Sequence, residues 1–363
     1  MTSLKHSAQF DLESALLWLC SIPSPTGEEE QICLEIGLAL RNYGVADTSI
    51  KRRGNSLLVE LTTGHPGPSI ALVGHTDVVR TQHDAPPRIE GDRLYGPGAS
   101  DMKAGLALML GIAADPVQTV ANLSLIFYAS EEGPFADDEL ALLMDEPRVR
   151  ELDFALVLEP TDNQLQLGCG GTLHAELRFT GKSAHSARPW QGENAIYRAI
   201  NVLTRLAELK PVPRSVDGLE WVTSMSATLA QGGRAPNVIP DEFTLNVNAR
   251  FAPDQSPQEV EQEIRRLVND EAEVRITDCS PPAPPNRQHP LLQALSRAGA
   301  TDIAPKFGWT DVARLTAAGI AAANLGPGTL SQAHQRNEWT SVAALHRADT
   351  ILRTWLSSLA TSP

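Results

Sequence analysis

Residues Ala71–Val79 read ALVGHTDVV. The stretch opens on Ala71, Leu72 and Val73 and closes on Val78 and Val79, which is the composition of a strand buried on both faces. Between them lie Gly74, His75, Thr76 and Asp77. Strand residues alternate faces, so His75 and Asp77 point the same way. A carboxylate behind an imidazole sets its tautomer and raises its basicity, as it does for metal-binding histidines. A histidine at a strand end is more often structural, so the reading depends on what the rest of the chain supplies.

Four further segments repeat the arrangement. LYGPGASDMKAG puts Asp101 between a Gly-rich turn and an apolar helix, where Ser100 or Asp101 could equally cap that helix. SEEGPF follows the buried run LSLIFYA, and its adjacent Glu131 and Glu132 point in different directions. Glu159 follows the apolar run FALVL, and His334 lies in QAHQRNE after the turn NLGPG. Each has an ordinary reading by itself, as a cap, a solvated loop or a surface charge. Together they place acids and imidazoles at the ends of apolar strands, where open α/β sheets bind their ligands. Two histidines and several carboxylates, with no thiolate, suit two zinc ions bridged by one carboxylate. Such a pair, ~3.5–4 Å apart, lowers the pKa of a shared water, and an unligated glutamate beside it serves as general base. No G-x-S-x-G elbow, Walker A motif or strand-linked G-x-G-x-x-G offers a rival chemistry.

The 363 residues exceed one ordinary core, so two domains are expected. A hydrophobic content of 42% with 20% charge reads as soluble and globular. No apolar run approaches the ~20 residues of a membrane span, and the N-terminus reads as an amphipathic helix rather than a signal peptide. Four scattered cysteines fit a reducing cytoplasm. The net charge of -14 argues against nucleic acid or anionic membrane as a partner. Strands and helices alternate to about residue 170, as in an α/β domain. TLHAELRFTG, a helix over 194–209, strands over 222–231 and 242–251, the helix SPQEVEQEIRRLVND and the strand EVRIT then give the order βαββαβ of a ferredoxin-like unit. The Pro-rich PPAPPNRQHP closes it. We therefore expect residues 173–283 to be inserted into a domain made of 1–172 and 284–363.

GHTDVV, GPGASDMKAGLA, YASEEG, LEPT and AHQRNE resemble, in order and spacing, the co-catalytic zinc metallopeptidases and deacylases. These include acetylornithine deacetylase, aminoacylases, carboxypeptidase G, peptidase T and succinyl-diaminopimelate desuccinylase. The resemblance covers nearly the whole chain and implies an α/β catalytic domain with a mixed central sheet flanked by helices, plus a dimerisation domain. It implies two Zn²⁺ per chain, with Co²⁺ as a substitute. His75 and Glu159 would hold one ion, Glu132 and His334 the other, and Asp101 would bridge them. Asp77 would support His75, and Glu131 would be the general base. In GKSAHSARPWQGENAI, His185 would steady the oxyanion in the other protomer of a homodimer. Asn237 and Arg250 in GGRAPNVIPDEFTLNVNARF would bind the carboxylate of an N-acyl amino acid or its surroundings, and Arg188 and Thr310, the latter in the GWTD loop, would also meet that substrate. GCGGTL, KFGWTDVARL and GIAAANLGPG look most like the actinobacterial-type succinyl-diaminopimelate desuccinylases. Another deacylase or a dipeptidase with the same centre is the alternative within the enzyme class; a metal-free binding relative is the alternative outside it.

Overall fold

A computed structural model describes residues 10–359 of the chain. They form two compact units. The first comprises the chain up to Leu167, Asn286–Ala304 and the part from Arg314 onward. The second comprises Gly168–Pro285 and Pro305–Ala313. Pro305–Ala313 joins the second unit through backbone and side-chain bonds, Gly170 N–H to the Lys306 carbonyl (3.0 Å) and Trp309 Nε1 to the Pro281 carbonyl (3.0 Å).

The first unit is built on a mixed eight-stranded sheet. Its order is Ile50–Arg53, Ser56–Glu60, Asn122–Tyr128, Ser69–His75, Phe154–Val157, Ala321–Asn324, Leu165–Leu167 and Ile303–Pro305. The strands Asn122–Tyr128, Ser69–His75, Phe154–Val157 and Ala321–Asn324 are mutually parallel. Parallel strands need cover on both faces, and these are buried almost end to end. Helix Lys103–Ala114 packs on the His75 strand and between Leu12–Ser21 and Val342–Ser358. It has no polar face: Lys103 through Ala113 are all buried. A helix apolar all round belongs in a core, and each fully buried Leu or Met in it contributes roughly 1.5–3 kcal/mol. Its Gly105 lies so close to the Leu158 carbonyl that a Cβ would stand 2.6 Å from that oxygen. Helix and Glu159 loop can approach this closely only at a residue without a side chain.

Two expectations change here. Neither Ser100 nor Asp101 caps this helix; the N-cap is Met102, without a side-chain cap bond. The Asp101 carboxylate is therefore not occupied as a cap. The helix expected over 194–209 is two, Ala195–Arg198 and Ile200–Glu208, with Asn194 capping the first by accepting from Ile196 N–H (2.9 Å).

The second unit is an antiparallel five-stranded sheet in the order Val212–Val216, Leu219–Gly232, Glu242–Phe251, Gly171–Thr180, Glu273–Ser280. Val212–Val216 adds a hairpin strand to the βαββαβ order. Leu173, Ala175, Leu177 and Phe179 alternate inward with Leu245, Val247 and Ala249, and Val202, Val260 and Ile264 of the helices cover them. The intervening residues His174, Asn246, Asn248 and Arg250 line the opposite face. Ser256 and Glu259 form a reciprocal capping box at the start of helix Pro257–Val268.

Candidate metal centre

The parallel strands deliver their chemistry from one end of the sheet. His75 is the last residue of its strand; Glu131 and Glu132 follow Tyr128, Glu159 follows Val157, and His334 lies beyond Asn324. Asp101 arrives from the turn before helix Lys103–Ala114. Ser130 and His334, on these loops, have positive φ, 65° and 60°. Such backbone is uncommon outside glycine and clusters at functional sites.

Asp101 is central. Its Oδ1 lies 3.3 Å from His75 Nε2, which in turn lies 3.7 Å from Glu159 Oε1. Its Oδ2 lies 3.6 Å from His334 Nε2, which meets Glu132 Oε1 at 2.7 Å. One carboxylate thus faces two clusters with its two oxygens. Ligand atoms of His75, Asp101 and Glu159 all lie within 4.8 Å of one another, as do those of Asp101, Glu132 and His334. Imidazole and carboxylate without thiolate is a donor set for a borderline or hard divalent ion. The residues therefore fit a dinuclear metal site. His75, Glu131 and Glu132 form a third such group, so Glu131 stands beside the site as well.

Asp77 does more than its spacing from His75 implies. His75 Nδ1 lies 3.0 Å from the Asp77 carbonyl and 3.4 Å from its carboxylate. The same carboxylate accepts from Glu131 N–H (3.1 Å), Glu132 N–H (3.0 Å) and the Thr26 hydroxyl (3.1 Å). It therefore holds the turn carrying both glutamates as well as the imidazole. Two residues escaped the sequence reading. Lys103 is fully buried, donates to the Leu19 and Ile22 carbonyls (3.0 and 2.9 Å), and is pushed down to about 8 by burial. Glu338 is buried beneath the Asp101 turn. Only its position four residues after His334, in a segment otherwise read as loop, hints at a role.

The recognition residues expected on the second unit are placed differently. His185, Arg188, Asn237 and Arg250 are exposed, and the His185 strand pairs with Val238–Ile239. Arg250 Nε donates to Asn248 Oδ1 (3.1 Å), and Asn248 reaches His174 Nε2 (2.8 Å) on the same sheet face. A cavity of about 410 Å³ is lined by Arg250, Ser224, Trp221, Val222, Phe251 and Phe307. Thr310 is fully buried, and its carbonyl accepts from the Cys169 thiol.

The family model for peptidase family M20/M25/M40 matches residues 71–358. The chain belongs to that family. Among M20 relatives, the succinyl-diaminopimelate desuccinylase of Corynebacterium glutamicum is 35% identical over 348 residues, covering 93% of this chain and 94% of that one. A Mycobacterium tuberculosis protein given the same name provisionally is 37% identical over 340 residues, covering 93% and 96%. The fold is similar to a Staphylococcus aureus tripeptidase (TM-score 0.77, 19% identity, 98% and 100% covered). It is also similar to the M20 metallo-carboxypeptidase Sso-CP2 of Sulfolobus solfataricus (TM-score 0.78, 16% identity, 97% and 100% covered). The chain is thus a metal-dependent hydrolase of the M20 type.

The carboxylates leave a mark on the imidazoles. Burial alone would lower the His75 pKa, but hydrogen bonds to Asp101 and Asp77 and the charges of Asp77 and Glu131 hold it well above 6.5. The hydrogen bond to Glu132 lifts His334 to about 9. In the metal-free protein the raised His334 pKa favours the folded state. That contribution is whole below 6.5 and is lost as pH climbs through about 9. Metal needs the neutral ring, so its affinity moves the other way. We expect chelator-treated protein to lose thermal stability from pH 6.5 to 9, modestly because His334 is half-exposed. Co²⁺ affinity by calorimetry should rise over the same range, by up to about tenfold per pH unit for this proton. A flat Co²⁺ affinity across the window would contradict the assignment.

Proposed function

We propose that the protein is a dizinc amidohydrolase that removes an acyl group from an N-acyl amino acid, and that its substrate is N-succinyl-LL-2,6-diaminopimelate. The observation that carries the hydrolase reading is Asp101, whose two oxygens face two separate His/carboxylate clusters. The substrate rests on the desuccinylase relatives, similar over 93% of this chain. His75 and Glu159 would hold one ion, Glu132 and His334 the other, with Asp101 shared. When bound, such ions supply a Lewis acid for the amide carbonyl and lower the pKa of water. Glu131 takes the proton of the attacking water and passes it to the departing amine nitrogen. Asp77 holds the Glu131 turn and the His75 ring in register. Arg250, its Nε engaged by Asn248, presents its remaining guanidinium N–H groups to a substrate carboxylate.

We infer further that the working form is a two-fold dimer. Strand Leu219–Gly232 is paired on its outer side only from Leu219 to Thr223. From Ser224 onward that edge has no ladder partner among the described residues, and Leu229 on it is 64% exposed. A long open edge of this kind invites a second copy. The exposed His185 would then serve the partner's site.

Three measurements test these readings. In a panel of N-succinyl-diaminopimelate, N-acetylornithine, N-acetyl amino acids and dipeptides, kcat/KM should be highest for the first. A dipeptide in that place would shift the reading to a peptidase. Glu131→Gln should lower kcat by roughly 10²–10⁴-fold at unchanged metal content, whereas Glu132→Gln should lose metal. The reverse pattern would exchange the two roles. Finally, Glu131→Ala and His185→Ala should each be nearly inactive alone. Co-refolded in equal amounts they should regain about a quarter of wild-type sites, since half the dimers are mixed and each holds one whole site. No recovery in verified mixed dimers would place His185 outside the partner's site.

A further inference from the structure

Glu338 is 3% exposed, and a carboxylate is seldom buried unless its charge is matched. Its Oε1 accepts from Ser100 N–H (2.7 Å) and Asp101 N–H (2.8 Å), and its Oε2 accepts from Gly98 N–H (3.0 Å). Its own carbonyl accepts from Gly96 N–H (3.0 Å). Trp339–Ser341 then continues as a strand beside Arg93–Tyr95. Backbone N–H groups from one turn therefore converge on one carboxylate, the arrangement that elsewhere forms an anion-binding nest. Here the carboxylate belongs to the chain. One of the three donors is the backbone of Asp101 itself, so the contact acts on the residue that faces both clusters.

A structural brace would account for burial and bonds alike, but a brace could grip the turn anywhere. This one grips Asp101 N–H, through a residue four positions beyond His334. The segment carrying the His334 imidazole is thereby tied to the residue whose carboxylate also faces the other cluster. We infer that Glu338 is a positioning residue for the dinuclear site: it fixes the Asp101 backbone so that the Asp101 carboxylate straddles both clusters. The inference rests on the reading of Asp101 as a shared ligand.

The test is a Co²⁺ titration of chelator-treated protein, followed by visible absorption and calorimetry, on wild type and Glu338→Gln. The substitution keeps size and one acceptor oxygen but turns an N–H donor toward another donor. We expect it to fold, by far-UV circular dichroism, and to bind at least one Co²⁺ about 10–100-fold more weakly, the usual effect of losing a partner behind a ligand. Its Co²⁺ band should change in shape, and kcat should fall more than KM rises. Ser100→Ala is the comparison. It removes the hydroxyl bonds to the Trp339 carbonyl and from Thr329 N–H, which brace the same turn without touching Asp101 N–H. It should lower thermal stability and leave the Co²⁺ band and affinity as in wild type. If Glu338→Gln fails to fold, Glu338→Asp carries the same measurements, since it keeps the charge and shortens the reach. Wild-type Co²⁺ affinity and band in a folded Glu338 variant would overturn the inference. So would an equal change in Ser100→Ala, which would reduce Glu338 to a brace. Wild type that takes fewer than two Co²⁺ would instead sink the dinuclear reading itself.

Discussion

Like charge gathered in a partly dehydrated space is the constraint on which this structure depends. Asp77, Glu131, Glu132 and Glu159, from the ends of parallel strands, converge with Asp101, and among the described residues His75, His334 and the buried Lys103 are titratable counterweights. Carboxylates so placed repel one another and resist ionisation unless something positive or hydrogen-bonding meets them. The chain answers with backbone N–H groups, from Glu131 and Glu132 onto Asp77 and from Gly98, Ser100 and Asp101 onto Glu338. The same carboxylates raise the pKa of both imidazoles. Divalent cations would bring further positive charge to the same carboxylates.

The rest of the first unit follows from holding that charge still. Ligand geometry tolerates errors of only about half an ångström, so the supporting residues must themselves be locked. The His75, Glu132 and Glu159 segments leave buried parallel strands, and the Asp101 turn leads into a helix with no exposed face. Gly105 lets that helix touch the backbone beside Glu159, and Gly326 lets the loop after Asn324 do the same. The second unit has the opposite character. Its sheet buries one face under helices and leaves His174, Asn246, Asn248 and Arg250 on the other, in a hydrogen-bonded row. A row of that kind orients polar groups without a dry core around them.

Much of this was legible in the chain itself. Apolar runs ending in an acid or imidazole read as buried strands, and ALVGHTDVV, LSLIFYASEE and FALVLE all contain strands whose end residues cluster together in the structure. The capping box at Ser256 and the alternation of Glu242–Phe251 are equally local signals, and both stand. Local signals failed at two places in the second unit. The helix expected over 194–209 breaks at Ala199, and Val212–Val216 is a strand that Pro213 and its exposed residues concealed.

Residue types, their order and the strand ends they occupy were thus determined by sequence alone, because burial patterns and turn residues act over a few positions. Tertiary structure decided which groups meet. The Asp77 carboxylate bonds to N–H groups 54 and 55 residues away, and Glu338 bonds to one 237 residues away. No periodicity encodes such a pairing. It exists only after the sheet has set its strand order, and the bonds are then strong because the same folding step removes the water that would compete for them.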